Sequence, residues 1–210
     1  MTPDQIVPIF LERLRVAHPG ARYELDWTTP LELLVATILA AQCTDERVNR
    51  VTATLFKKYP DARAYAEADT AELEEDLKPT GFFRQKTKTV QSVCRELIRR
   101  FGGEVPKTME ELTTLPGVAR KSANVVLNTA YDFPSGVIVD THVARVSQRM
   151  GISKHDKPEE IEQDLMKLVP KDAWTFFGPA TVLHGRYTCV AKKPKCDGCM
   201  ASDICEKKGV

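Results

Sequence analysis

Strand signals are almost missing from this 210-residue chain. The β-branched run Val137-Ile138-Val139 is too short to found a sheet, which excludes sandwiches, barrels and doubly wound α/β folds. Long apolar runs are missing too. The longest, Leu33 to Ala41 interrupted by Thr37, is about half of the roughly 20 residues that a membrane helix needs, so it reads as a buried helix and no membrane partner is expected. The opening residues MTPDQIVPIFLERL have no basic start and carry Asp4 and Glu12, unlike a secretory signal. The sequence therefore points to a cytoplasmic, reducing compartment. Gly and Pro number only 11 and 13, which excludes collagen-like composition. Hydrophobic residues at 42% and charged residues at 28% exclude disorder as the main state. Charge of one sign is also lacking: 30 Lys and Arg face 29 Asp and Glu. Any polyanion site must then be a local patch.

Two stretches offer such a patch. Arg84, Lys86, Lys88, Arg95, Arg99 and Arg100 share a run with Glu96 alone, and the segment VAKKPK holds Lys192, Lys193 and Lys195 with no acid. The simpler reading of either run is a solvated helix face. The length allows one domain or two small ones.

What is present is helix after helix. Thr2-Pro3-Asp4-Gln5 and Thr29-Pro30-Leu31-Glu32 are helix starts, with Pro at the first position. Thr44-Asp45 opens a helix closed by Pro60, and Asp69 with Glu72 caps an acidic one. A helix over 83–101 stops at Gly102-Gly103. Thr108 with Glu111 starts a short helix ending near Leu115, and further helices are expected near 120–131, 141–150, 158–168 and 173–187.

Four of the six cysteines, Cys189, Cys196, Cys199 and Cys205, form a C-x6-C-x2-C-x5-C pattern near the C-terminus. Four thiolates at loop spacing suit a metal group, and a tail this short needs one to order it. A zinc module and a [4Fe–4S] cluster both fit; the long gaps lean toward the cluster. Cys43 and Cys94 read as buried, inert thiols.

The segment 112–126, LTTLPGVARKSANVV, reads as a short helix, a tight turn at Gly117 and a second helix. Gly117 lets backbone approach a bulky group, and the amides opening the next helix suit a phosphate. A plain helix–helix turn is the alternative. Lys121 falls in that helix's first turn beside Arg120, where the helix dipole, the like charge and partial burial would favour the neutral, nucleophilic amine. A phosphate-contacting lysine is the alternative. Asp140 precedes the helix from Thr141, either as a simple N-cap or as a held carboxylate that stabilises developing positive charge. The intervening helix rises roughly 18 Å and the loop after it spans up to about 27 Å, so Asp140 can return to the hairpin.

LPGVARK, then VDTHVAR, then LHGRYTC leading into the cysteine pattern, together with AQCTDERVN and GFFRQK, closely resemble endonuclease III, the helix-hairpin-helix DNA glycosylase/AP lyase family with a [4Fe–4S] cluster. The resemblance covers nearly the whole chain. It implies an all-α, two-lobed fold: a six-helix barrel over 22–134 carrying the hairpin, and a second domain of 1–21 plus 135–210 carrying the cluster loop at 189–205. It implies a monomer acting on duplex DNA with damaged pyrimidines or abasic sites, the base being flipped out. Lys121 matches the Schiff-base lysine and Asp140 the catalytic aspartate. Gln42 matches the residue filling the gap left by the flipped base, and Phe82 falls at an apolar wedge. Gly117, Ala119 and Arg120 would contact phosphate in the hairpin, joined by Lys192, Lys193 and Lys195. Asp45 and His142 are pocket candidates, and the four cysteines would hold the cluster. Three positions depart from the family pattern: Ala119 replaces a usual glycine, Phe83 a commoner Tyr and Cys43 a commoner Ala. The alternatives are a monofunctional adenine-type glycosylase, which lacks the nucleophilic lysine, and a non-enzymatic iron–sulfur DNA-binding regulator.

Overall fold

The computed structural model describes residues 1–210 and is all-helical. It divides into two compact units, Glu24–Phe133 and a second made of Met1–Tyr23 with Pro134–Val210. No helix is long and apolar enough to cross a membrane.

The unit Glu24–Phe133 contains α2 (Pro30–Leu39), α3 (Asp45–Lys58), α4 (Ala62–Glu67), α5 (Thr70–Leu77), α6 (Phe83–Phe101), α7 (Met109–Thr113) and α8 (Arg120–Ala130). Local chemistry sets most starts. Thr29 caps α2 in a full capping box with Glu32, Thr44 caps α3 and Asp69 caps α5. Gly102 ends α6 in the left-handed conformation, φ 63°. The apolar α2 buries Leu33, Leu34, Val35 and Leu39; α6 buries Val90, Val93, Cys94 and Leu97 beneath α4 and α5. The short α4 is absent from the expected helices. Asp61 starts it by accepting from the Ala64 amide.

The other unit holds α1 (Pro3–Ala17), α9 (Thr141–Arg149), α10 (Pro158–Leu168) and α11 (Trp174–Tyr187). Ile6, Phe10 and Leu14 of α1 meet Val143 and Val146 of α9, Ile161 and Leu165 of α10, and Phe177 of α11. Val137 and Val139 join this core without forming a strand. Residues after α11 form turns only, yet Ala201 and Ile204 are core residues there. Helices α9 and α11 pack closely because Gly185 has no side chain: a Cβ there would lie 2.9 Å from the His142 Cβ.

Candidate active site and cysteine loop

In the unit Glu24–Phe133 the hairpin is built from α7, a turn and α8. The turn closes with the Val118 amide donating to Leu115 O at 3.1 Å. Gly117 sits at φ 72°, and a Cβ on it would lie 2.6 Å from Thr89 Cγ2 of α6. Conformation and space both demand glycine here. Ala119 is the N-cap of α8 and offers no side-chain cap, so the first-turn amides keep no capping oxygen from that position. Arg120 and Lys121 occupy that first turn and are exposed; the partial burial expected of Lys121 is absent.

A groove of about 680 Å³ runs beside the hairpin, lined among others by Thr37, Gln42, Phe82, Lys86, Thr89 and Gly117. Gln42 follows α2 and Phe82 precedes α6, and both are exposed. Both adopt positive φ, 54° and 48°, which is uncommon outside glycine. Asp45 is half-buried in the first turn of α3. Cys43 is half-buried between α2 and α3 and so is not the fully buried helical thiol expected; Cys94 is buried in α6 and pushed up to about 12 by that burial.

The basic run on α6 does not form a continuous patch. Arg99 pairs with Glu96, Arg84 with Glu74, Arg100 donates to Thr114 Oγ1, and Arg95 to Ala66 O. Lys86 is buried at 4% exposure, so it cannot meet a polyanion at the surface. Its Nζ donates to Leu39 O at 2.7 Å and Thr80 O at 2.8 Å. Burial pulls this ammonium below lysine's usual range, opposed by nearby Cys43. Sequence reasoning missed this role; the available signal was the place of Lys86 on the apolar side of α6, in line with Val90 and Val93.

In the other unit Asp140 is the N-cap of α9. Its Oδ1 accepts from the His142 and Val143 amides at 2.8 and 2.9 Å. The first turn of α9 thus fixes the carboxylate's direction. His142 is half-buried, with Nδ1 3.2 Å from an Arg145 nitrogen. The candidate residues therefore fall into two groups: Gln42, Asp45, Phe82, Gly117, Ala119, Arg120 and Lys121 in one unit, Asp140, His142 and the cysteine loop in the other.

Cys189, Cys196, Cys199 and Cys205 all line one pocket, together with Arg149, His184 and Pro194. Burial raises Cys199 and Cys205 above the usual thiol range, and the neighbouring cysteines add to it, while the Ala201 and Lys207 amides oppose it. His184, driven down to about 4 by burial, is a neutral ring 3.7 Å from Cys199 Sγ. No three of these donors converge as they would on a single ion. Two arginines missed in the sequence shape this loop from α9. Arg145 donates to Cys189 O, and Arg149 to Cys189 Sγ, Val190 O and Ala191 O. Their i, i+4 spacing was the available signal. Arg13 of α1 reaches the loop as well, through Met200 O and a bidentate pair with Asp203. Lys192, Lys193 and Lys195 are exposed on the same loop.

Residues 35–171 match the family model of the HhH-GPD superfamily base excision DNA repair proteins. The endonuclease III of Synechocystis sp. (strain ATCC 27184 / PCC 6803 / Kazusa) is 55% identical over 91% of this chain and 88% of its own length. The chain belongs to the endonuclease III family. It is a base excision repair DNA glycosylase with AP lyase activity. A solved non-covalent endonuclease III–DNA complex superposes with a TM-score of 0.94 at 41% identity, covering 99% of this chain and 97% of the other. A trapped endonuclease III–DNA covalent intermediate, an estranged-adenine complex, agrees equally well. The family carries a [4Fe–4S] cluster, and this chain keeps four cysteines around one cavity.

Proposed function

We propose that this chain acts as a monomer on duplex DNA, in the cytoplasm, removing oxidised or reduced pyrimidines and cutting 3′ to the abasic site through a Schiff base on Lys121. The observation carrying this reading is the match, across 99% of the chain, to a trapped covalent endonuclease III–DNA intermediate. An exposed lysine in the first turn after the glycine hairpin supplies the nucleophile such an intermediate needs.

The flipped nucleotide presents its C1′ to the Lys121 amine. The nitrogen lone pair forms the new C–N bond as the C1′–N bond to the base breaks, and the base leaves with a proton. Asp140, its Oδ1 fixed by two amides, stabilises the positive charge that develops on the sugar. The ring opens to a protonated Schiff base, which acidifies the 2′ hydrogens. Loss of one of them expels the 3′ phosphate and breaks the strand. Gln42 and Phe82 take up the space left in the stack. The amides at the start of α8, with Gly117, Ala119 and Arg120, hold a phosphate. Asp45 and His142 contact the extruded base.

Cys189, Cys196, Cys199 and Cys205 would hold a [4Fe–4S] cluster. A zinc ion would draw four sulfurs to about 2.3 Å from one point. All four cysteines line one pocket, and gaps longer than those of paired C-x2-C knuckles lean toward the cluster. The cluster supplies a cross-link that orders a loop with no helix of its own, and none of the steps above uses its electrons.

Borohydride added during turnover tests the reading. It reduces the Schiff base and leaves a stable protein–DNA adduct on a thymine glycol duplex. Lys121→Gln should abolish both the adduct and the strand cut while DNA binding stays largely intact. Asp140→Asn should slow base release by several orders of magnitude with the fold kept, because an asparagine oxygen also caps α9. Full cutting by Lys121→Gln would remove the mechanism. Excision without trapping in the unmodified protein would make the chain a monofunctional glycosylase.

A further inference from the structure

Gln42 and Phe82 pose a physical problem. Each is a non-glycine residue in the left-handed region, a conformation kept only where the surroundings dictate it. Neither side chain packs into a core that could dictate it: Gln42 is exposed and Phe82 is 65% exposed. The restraint must act on the main chain. The Lys86 side chain reaches both turns. Its Nζ holds Leu39 O, the last residue of α2 and three before Gln42, and Thr80 O, two before Phe82. Its own amide donates to Phe82 O at 3.0 Å. Three hydrogen bonds of one residue therefore converge on the two turns.

The chemistry suits a lysine. An ammonium has three N–H groups and no acceptor, so it can satisfy two carbonyls at once. The carbonyl at the end of α2 also sits at the negative pole of the helix. The ammonium has no carboxylate partner; both its acceptors are main-chain carbonyls. With no counter-charge beside it, the buried ammonium depends on the hydrogen bonds that the two carbonyls supply. Two carbonyls and burial make the charge a pin between two loops.

We infer that Lys86 is the positioning residue for base extrusion: one buried ammonium sets the two turns that aim Gln42 and Phe82 into the DNA stack. This rests on the insertion roles given above to those two residues. Lys86 touches neither sugar nor base. Its effect passes through the geometry of the turns, so it matters where a paired base must be displaced and not where the sugar is already accessible.

The test compares two substrates under single-turnover conditions: a duplex with a paired thymine glycol flanked by 2-aminopurine, and a single strand carrying a preformed abasic site. Lys86→Gln should slow excision from the duplex roughly ten- to a hundredfold, the scale of a small misplacement of positioned groups. The 2-aminopurine fluorescence rise that reports unstacking should slow in step. Cutting of the abasic single strand should stay within about twofold. The same change is then made in a Gln42→Ala/Phe82→Ala background, where it should add almost nothing to the duplex defect, since residues acting through one another are not additive. An equal loss on both substrates, or a further full loss in that background, would show a merely structural lysine and overturn the inference. An unaltered duplex rate in Lys86→Gln would also overturn it. Should Gln42→Ala/Phe82→Ala itself excise normally from the duplex, the insertion reading fails first, separately from Lys86.

Discussion

Replacing Gly117 by Ala perturbs the hairpin in two ways that can be separated. Gly117 has φ 72°, where an L-residue with a Cβ costs roughly 1–2 kcal/mol. The new Cβ would also lie 2.6 Å from Thr89 Cγ2. Thr89 is half-buried on α6 and β-branched, so it escapes only by leaving its preferred rotamer or moving its helix, at about 0.5–1.5 kcal/mol. The two costs together come to about 1.5–3.5 kcal/mol. For a chain of this size the melting temperature should fall by roughly 3–14 °C, at about 2–4 °C per kcal/mol. Thr89→Ala removes the clashing methyl. In Gly117→Ala/Thr89→Ala, measured against Thr89→Ala alone, only the backbone part of roughly 1–2 kcal/mol should remain. Calorimetric melting of the four proteins closes the cycle. A Gly117→Ala protein that melts with the parent would refute both parts. Complete rescue by Thr89→Ala would refute the backbone part and leave the clash with Thr89 as the whole cost.

The cysteine loop and its lysines carry two further predictions. Purified protein should be yellow-brown, with about four irons and four acid-labile sulfides, as a [4Fe–4S] group contains; about one zinc and no iron after anaerobic purification would sink the assignment. Cys199→Ser should lose solubility or folding, because the loop that it orders supplies the core residues Ala201 and Ile204. Changing Lys192, Lys193 and Lys195 together to Ala should weaken binding to lesion-bearing and undamaged duplex about equally, and flatten the plot of log affinity against log salt by roughly 0.9 for each phosphate that is no longer neutralised. Weakening confined to one lesion would show that the loop reads bases.

The helices were legible because their starts are written in local chemistry. Thr29 and Glu32, Thr44, Asp69, and Thr108 all cap in the structure where their side chains suggested. The helix α4 was not, although Asp61 caps it in the same way. Its six residues close fewer than two turns, too few for a 3.6-residue periodicity to emerge. Its packing against α6, between segments distant in sequence, accompanies its helical form. The hairpin glycine was legible for a related reason. A turn between two helices calls for a left-handed residue, and the further demand set by Thr89 only adds to a requirement already local.

Charged residues were the harder case, because a sequence shows charge and conceals depth. Lys86 stands in a run with Arg84 and Lys88 on either side and reads as one more surface cation. Its position on the helix decides otherwise: α6 turns Lys86, Thr87 and Val90 inward and leaves Arg84 and Lys88 outside. The acceptors that make burial tolerable are carbonyls at Leu39 and Thr80, and a carbonyl has no letter in the sequence. Arg145 and Arg149 show the same thing on α9, where every acceptor but one sulfur and one ring nitrogen is main chain. Acidic partners can be sought by counting residues, whereas main-chain partners appear only when the fold has placed them. A cation inside an amphipathic helix, on the apolar side of its stripe, is thus better read as a search for helix ends and loops to hold than as part of a polyanion patch. Lys86 meets that description, and the two loops it holds are the ones whose strained residues face the groove.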